Sequence, residues 1–305
     1  MEIFNDLTDF YVVKRDNTSE PFQIKKIMLM VEWACDKRNV SPVTLYDRFV
    51  PFLVDGMRTK VIQEQLIKVA LSLTSVEEPD WADVAGSLLL LNIYKNHREY
   101  MRDQSIFGYS HLYDFIIAAT NDLLIDQELV EKYSKNDIDS INEEIDIEYD
   151  DFDYSGINLM DKRYLIKYGN KTVEPPQFMY VLTAMVVFKN VSDKARRLEL
   201  IKEYYTLMAL QVISPATPNL SNLRKYGRGS SPSCFILKSE DDLESIYDVN
   251  KMAAIISKNG GASGISMSSI RASGSPIKGV KNAAKGVLPW MRLFNDTAVA
   301  VDQLG

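Results

Sequence analysis

The change of character after Ile213 constrains the fold of this chain most. Before it, apolar residues recur at helical spacing: Ile24, Ile27, Met28, Val31 and Cys35 in one run, Ile62, Leu66, Ile67 and Ala70 in another. Two more helical patterns lie in QFMYVLTAMVVF and ARRLELIKEYYTLMAL, between Pro175 and Val212. Beyond Ile213, short apolar runs alternate with Gly/Ser/Pro loops: ISPATP, SCFIL, a helix from Asp242 to Ser257, and GISMSSIRASG. A last helix is predicted from Leu288 to Val301, with Pro289 in its first turn. Strand, helix, strand order predicts α/β architecture for this part.

The beginning of the chain predicts a small helical unit behind a hairpin. Tyr11 to Lys14 is strand-like, Asp16-Asn17 is a turn signal, and Glu20 to Phe22 returns. Ser41-Pro42 reads as a helix cap followed by proline at the first helical position, Thr59 as the cap of the next helix, and Trp81 to Tyr100 as a final helix. Residues 137–153 are acidic but interleaved with Ile138, Ile141, Ile145 and Phe152, and are expected to be a solvated acidic face near a domain boundary.

At 305 residues the chain can bury the core of two domains or one large one, and 46% apolar with 25% charged residues is ordinary for a soluble globular protein. A net charge of −7 argues against a nonspecific nucleic-acid binder, which needs a basic face. The acidic N-terminus has no apolar core of a signal peptide, and the run from Leu88 to Leu91 is too short to span a bilayer, so no membrane role is expected. Two cysteines make no disulfide framework, which points to a reducing, cytoplasmic location. No metal site is expected, because no histidine accompanies the carboxylates of the acidic stretch.

Three groups of residues invite chemistry. Cys35 lies in an apolar helical pattern and is expected in a core, whereas Cys234 follows the polar loop Gly227, Gly229, Ser230, Ser231, Pro232, Ser233 and stands at a loop–strand junction. Asn259-Gly260-Gly261-Ala262-Ser263-Gly264 is glycine-rich, as phosphate-cradling loops are, and as ordinary turns are too; Arg271 and Lys278 add cations nearby. Lys14, Arg15, Lys25 and Lys26 cluster at the hairpin, where a polyphosphate could sit, although surface lysines are the commoner reading of such spacing.

VVKRDNTSEPFQIKKI, followed by DGMRTKVIQEQLIKVA and NIYKNHREY, resembles the ATP-cone, the N-terminal regulatory module of class I ribonucleotide reductase large (α) subunits. The resemblance implies a module where ATP raises and dATP lowers activity, with nucleotide contacts at Lys14, Glu20, Gln23, Lys26, Thr59 and Lys95. Asn17 stands where the family usually has a turn glycine, and Gln63 where many relatives carry a histidine facing the nucleotide. Residues 213–235 and 257–279 are similar to the start of the family's ten-stranded catalytic α/β barrel. By that similarity Cys234 is one of the two reducing cysteines, and Thr217, Ser233, Gly261 and Ala262 meet the substrate. The same similarity implies that Asp241, Asp242, Leu243, Arg271, Ile277 and Lys278 form a specificity site for a deoxynucleoside triphosphate at an α–α dimer interface.

The fold this implies is mixed α/β: a helical ATP-cone (1–100), a helical segment (101–212), and the first half of the barrel with the specificity site (213–305). The implied partners are a β subunit whose metal–radical cofactor starts the chemistry, a second α subunit, and thioredoxin or glutaredoxin as reductant. The resemblance runs from about Val12 to Gln303 and departs at Leu304, and no cysteine follows Cys234. The expectation is therefore a split or truncated subunit, inactive alone and completed by a C-terminal fragment carrying the remaining cysteines. Two alternatives stay open: a non-catalytic nucleotide-binding regulatory remnant, and a fragment of a cobalamin-dependent reductase.

Overall fold

The computed structural model describes residues 10–103, 108–227 and 231–301. The readings placed on Gly229, Ser230 and the Asp302–Leu304 segment lie outside the described residues. The chain divides into two units at Ile213/Ser214.

The first unit begins with a three-stranded sheet, order β2-β1-β3. Strand β1 (Tyr11–Val13) pairs antiparallel with β2 (Ser19–Pro21) and parallel with β3 (Met57–Arg58). The connecting turn works because the Asp16 carboxylate accepts from the Thr18 backbone N–H and hydroxyl, while Asn17 adopts φ 67°, a left-handed conformation that asparagine tolerates. Helices α1 (Ile24–Cys35), α2 (Pro42–Phe49), α3 (Thr59–Leu73) and α4 (Trp81–Met101) pack behind the sheet. Val12, Ile27, Val31, Leu45, Phe49, Leu66 and Leu88 share their core, as the helical spacing of α1 and α3 predicts. One expectation is corrected here. Thr59 does not cap α3 but is its first residue; β3 runs directly into the helix, and extended Arg58 takes the cap position without a side-chain bond.

The rest of the first unit is mostly helical: α5 (Leu112–Asn121), α6 (Glu128–Lys132), α7 (Lys135–Asn142), α8 (Tyr154–Leu159), a hairpin of β4 (Lys167–Tyr168) and β5 (Lys171–Thr172), then α9 (Pro176–Phe188) and α10 (Lys194–Ala209). Helix α4 joins both parts and is buried on several sides. At Gly86 a Cβ would lie 2.2 Å from the Phe152 carbonyl oxygen, so only glycine lets the backbone of residues 152–154 pack there.

The acidic stretch is not one solvated face. Asp137 is buried in a capping box with Ser134 and pairs with Lys194 at 2.8 Å. The Asp150 carboxylate accepts from the Tyr94 hydroxyl and from Gln177 Nε2 at 2.7 Å, and burial pushes its pKa up to about 7. Apolar contacts of the interleaved isoleucines draw these carboxylates inward, where each finds a partner.

The second unit contains α11 (Thr217–Ser221), β6 (Cys234–Lys238), α12 (Leu243–Lys258), β7 (Ala262–Ser266) and α13 (Leu288–Ala300). Strands β6 and β7 pair in parallel, from Cys234↔Ala262 to Lys238↔Ser266, with α12 between them in sequence. Ile246, Val249 and Phe294 are its buried core. The strand–helix–strand order is as expected and the content is mixed helix and sheet. The unit holds two strands and no closed barrel among the described residues, and the ISPATP run leads into helix α11 rather than forming a strand.

Candidate functional site

In the first unit a cavity of ≈ 140 Å³ opens between the hairpin, α1, α3 and α4. Its polar rim carries Glu20, Gln23, Lys26, Thr59 and Lys95; Val12, Ile27, Met30 and Ile62 give it an apolar floor. Five of the six residues expected to meet a nucleotide therefore line one space. The sixth, Lys14, lines a neighbouring cavity and reaches the first through Glu20. Glu20 is shared by two ammonium groups, Lys14 at 2.8 Å and Lys26 at 3.1 Å. The Lys14 hydrogen bond holds the Glu20 carboxyl below its ordinary range and raises Lys14 in turn.

Lys95 is held differently. Its Nζ donates to Gln63 Oε1 at 3.2 Å, and the Gln63 amide donates from the other side to the Leu88 carbonyl at 2.8 Å. Gln63 is buried, so both ends of its amide are used and its orientation is determined. Burial of the Lys95 ammonium, with repulsion from Arg15 and Arg98 behind it, lowers its pKa to about 8. An anion entering the cavity would thus meet a cation that has an amide, not a carboxylate, as its hydrogen-bond partner.

The apolar floor was not among the expected contacts. Ile27 and Ile62 belong to the core pattern of the sequence and Met30 to no pattern, yet Ile27 and Met30 on α1 and Thr59, Ile62 and Gln63 on α3 follow i, i+3/i+4 spacing, so the face is legible there. Cys35 is buried as expected, and burial pushes its thiol up to about 11.

In the second unit Cys234 is the first residue of β6 and is exposed, with the Ser233 hydroxyl 3.5 Å from its sulfur. Ser231 donates to Asn219 Oδ1 at 2.7 Å, which ties the approach to Cys234 to α11, the helix that Thr217 begins. The glycine-rich segment is half turn, half strand. Gly260 takes φ 83°; the Gly261 and Ala262 N–H groups donate to the Ile256 and Ser233 carbonyls at 2.9 and 2.8 Å. A Cβ at Gly261 would lie 2.7 Å from both Phe235 and Ile256, so the backbone approaches β6 closely there.

Asp241 and Arg271 form a clasp. Arg271 donates from Nε to Asp241 Oδ2 at 2.6 Å and from its backbone N–H to Oδ1 at 3.1 Å, and Nη1 reaches the Pro276 carbonyl at 3.1 Å. The backbone N–H bond from Arg271 is the leading cause of the lowered Asp241 pKa. Asp242 caps α12 by accepting from the Ser245 N–H, and Leu243 opens that helix with its side chain exposed. Ile277 pairs with Val280 around a tight loop in which Lys278 has φ 45°. The structure brings Asp241, Asp242, Leu243 and Arg271 to the start of α12, and Arg271 connects them to the 276–280 loop.

Among the described residues no cluster of three or more His, Cys, Asp or Glu side chains could hold a metal ion, and no helix is long and apolar enough to cross a membrane.

Three domain models match the chain in sequence order: the ATP cone domain over residues 10–96, the ribonucleotide reductase all-alpha domain over 150–228, and the ribonucleotide reductase barrel domain over 232–305. A ribonucleoside-diphosphate reductase subunit alpha of Synechocystis sp. is 39% identical over 303 residues, covering 96% of this chain and 37% of that protein. The subunit alpha of Helicobacter pylori is 35% identical over 298 residues, 96% of this chain and 36% of that protein. The large subunit of Arabidopsis thaliana is 30% identical over 300 residues, 97% of this chain and 35% of that protein. The chain spans rather more than a third of the length of these relatives. With all three domain models matched in order, the chain belongs to the ribonucleotide reductase large-subunit family, of which it covers the N-terminal region.

Proposed function

We propose that this chain provides the regulatory module and the first part of the catalytic domain of a ribonucleoside-diphosphate reductase α subunit. Residues 1–100 act as an ATP-cone, 101–212 as the helical part of the catalytic domain, and 213–305 as the start of the barrel. The observation that carries the reading is the convergence of Glu20, Gln23, Lys26, Thr59 and Lys95 on one cavity in the segment that the ATP cone model matches. ATP or dATP bound there sets the activity of the enzyme, with the base against the apolar floor and the phosphates toward the lysines.

In the second unit, Cys234 acts as one of the two reductants. The overall reaction removes the 2′-hydroxyl of a ribonucleoside diphosphate as water while two thiols become a disulfide, and thioredoxin or glutaredoxin restores the thiols. The Cys234 thiol stands exposed at the head of β6, where it can protonate the departing hydroxyl, with Thr217, Ser233, Gly261 and Ala262 binding the substrate. The reaction also needs a thiyl-forming cysteine and a second reductant. Cys35 can be neither, being buried in the core of the cone. Those cysteines belong to further polypeptide, continuous with this chain or separate from it, and the radical originates on a metal-containing β subunit. The clasp of Asp241 and Arg271, with Asp242, Leu243, Ile277 and Lys278, binds a deoxynucleoside triphosphate that selects the base. The exposed apolar residues Tyr247, Met252, Ile255 and Met291 on α12 and α13 support α–α pairing beside it.

Two measurements test this. Calorimetry on the whole 305-residue chain should detect ATP and dATP binding that Lys26→Ala weakens. No heat at millimolar nucleotide would refute the cone assignment. In the enzyme assembled with the remaining α sequence and a β subunit, Cys234→Ser should abolish multiple turnover and Cys35→Ser should not. Normal turnover by Cys234→Ser would refute its role as reductant.

A further inference from the structure

The ≈ 140 Å³ cone cavity falls below the ~300 Å³ at which pockets for small-molecule ligands begin, so it cannot enclose a nucleoside triphosphate. A second cavity of ≈ 500 Å³ adjoins it, and Thr59 and Gln63 line both. One wall of this larger cavity belongs to the cone: Lys14, Arg15, Arg58, Lys60 and Lys68. The opposite wall is α8 and the β4–β5 hairpin, which contribute Lys167 and Lys171. Among the described residues two carboxylates line the same space, and each is engaged: Glu64 lies 3.8 Å from Lys60, and Asp161 accepts from Thr172 at 2.6 Å. The side chains of Lys68 and Lys167 have no ionic or hydrogen-bonding partner among the described residues. An acidic chain has thus gathered seven cations around one cavity. Lys14, Lys60, Arg15 and Lys171 are partly balanced by Glu20, Glu64 and Glu99, and an anion in the cavity would relieve the repulsion that remains.

The two walls are also wired together. Arg15 donates to Asn92 and Asn96 on α4 and lies 3.9 Å from Glu99, and Glu99 pairs on its other oxygen with Lys171 at 2.6 Å. A phosphate drawn to Arg15 therefore acts on the carboxylate that holds the hairpin.

We propose that the β4–β5 hairpin, through Lys167 and Lys171, forms the outer wall of a polyphosphate pocket whose inner wall is the cone. A nucleoside triphosphate with its base on the apolar floor of the small cavity passes its phosphates by Lys95, which is bonded to the shared Gln63, and is clamped by the end of its phosphate tail against the helical part of the catalytic domain. The hairpin lies inside the segment that matches the all-alpha domain, not the cone. Occupancy of the regulatory site is then read directly by the catalytic domain, as a tightening of that attachment. The proposal rests on the cone reading above.

The test uses the 305-residue chain, calorimetry with ATP, ADP and adenosine, and amide hydrogen exchange. Lys167→Ala removes an exposed side chain that makes no ion pair or hydrogen bond among the described residues and leaves the backbone pairing with Thr172 in place, so the fold should be retained; Lys167→Ala/Lys171→Ala removes both hairpin cations. ATP affinity should fall about fivefold for the single and more for the double variant, with adenosine affinity changed less than about twofold. ATP should also slow exchange of the 167–172 amides in the wild-type chain. Unchanged ATP affinity in the double variant, with no protection of the hairpin, overturns the proposal. If Lys26→Ala still weakens ATP binding in that case, the cone reading survives. Absence of ATP binding to the wild-type chain removes both.

Discussion

Lys95 offers the sharpest test of the cone cavity, because its charge should depend on pH where that of an ordinary lysine does not. Its pKa is lowered to about 8, first by burial and then by Arg15 and Arg98. The sign is as follows. Folding depresses the lysine below its ordinary ~10.5, so the charged form is penalised in the fold. That penalty is fully present below about pH 8 and is relieved as pH rises toward 10.5. A bound triphosphate reverses the balance by pairing with the ammonium. Binding should then take up about half a proton per nucleotide near pH 8, and more at pH 9.

Between pH 7 and 9 the protonated fraction of the free site falls from about nine-tenths to about one-tenth, a roughly tenfold loss of affinity if only the charged form binds. Water reaches the exposed side chain through the cavity and screens part of the penalty, so about threefold is the lower end. Calorimetry in two buffers of different ionisation enthalpy measures the uptake directly. Lys95→Arg stays charged and should bind with no such slope. An equal affinity at pH 7 and 9 for the wild-type chain, without proton uptake, would refute the desolvated-lysine argument.

Further outcomes follow from packing and burial. Gly86→Ala sets a Cβ against the Phe152 carbonyl oxygen and should destabilise the first unit by about 2–3 kcal/mol, seen as a lowered thermal midpoint; an unchanged midpoint would show that the 152–154 backbone can yield. Cys35→Ser should cost about 1–3 kcal/mol in urea unfolding, for a hydroxyl in an apolar core, and Cys234→Ser almost nothing. Asp150 has a folded pKa of about 7, above its unfolded value, so stability should fall as pH rises from about 4 through 7. Asp150→Asn should remove that slope whatever constant cost it adds, and an identical pH profile for the two proteins would count against burial of the charge.

What could be read in the sequence follows the range of the interactions involved. The Asp16-Asn17 turn, the α1 and α3 apolar spacing, the capped start of α12 and each member of β6-α12-β7 are local, and each is visible in a window of fewer than twenty residues. Strand β3 was not visible, because two residues carry no alternation and its pairing with β1 is set by the fold. The short helices α5–α8 are capped by polar residues such as Ser134 and Asp153, which in sequence look like loop composition. The burial of Asp150 depends on Tyr94, 56 residues earlier, and on Gln177, 27 residues later. The cone residues were legible as a motif, whereas the hairpin lysines that face them across the larger cavity were not. Nothing in KYGNKT signals that Lys171 shares Glu99 with Arg15.

The cations of the cone are not equivalent, and the difference lies in what holds each of them without a ligand. Half-buried Lys14 and exposed Lys26 share Glu20, so a phosphate gains them only by displacing a carboxylate. Pairs of this kind are worth about 1 kcal/mol or less, so the exchange costs little and each of these lysines adds to the affinity, by less than Lys95 does. Lys95 is held by an amide that is itself fixed to the Leu88 carbonyl, and its charge has already lost part of its solvation on folding. A phosphate meeting it forms a charge-assisted bond without breaking an ion pair. The Gln63 amide does not titrate, so it orients Lys95 without adding a pH dependence of its own.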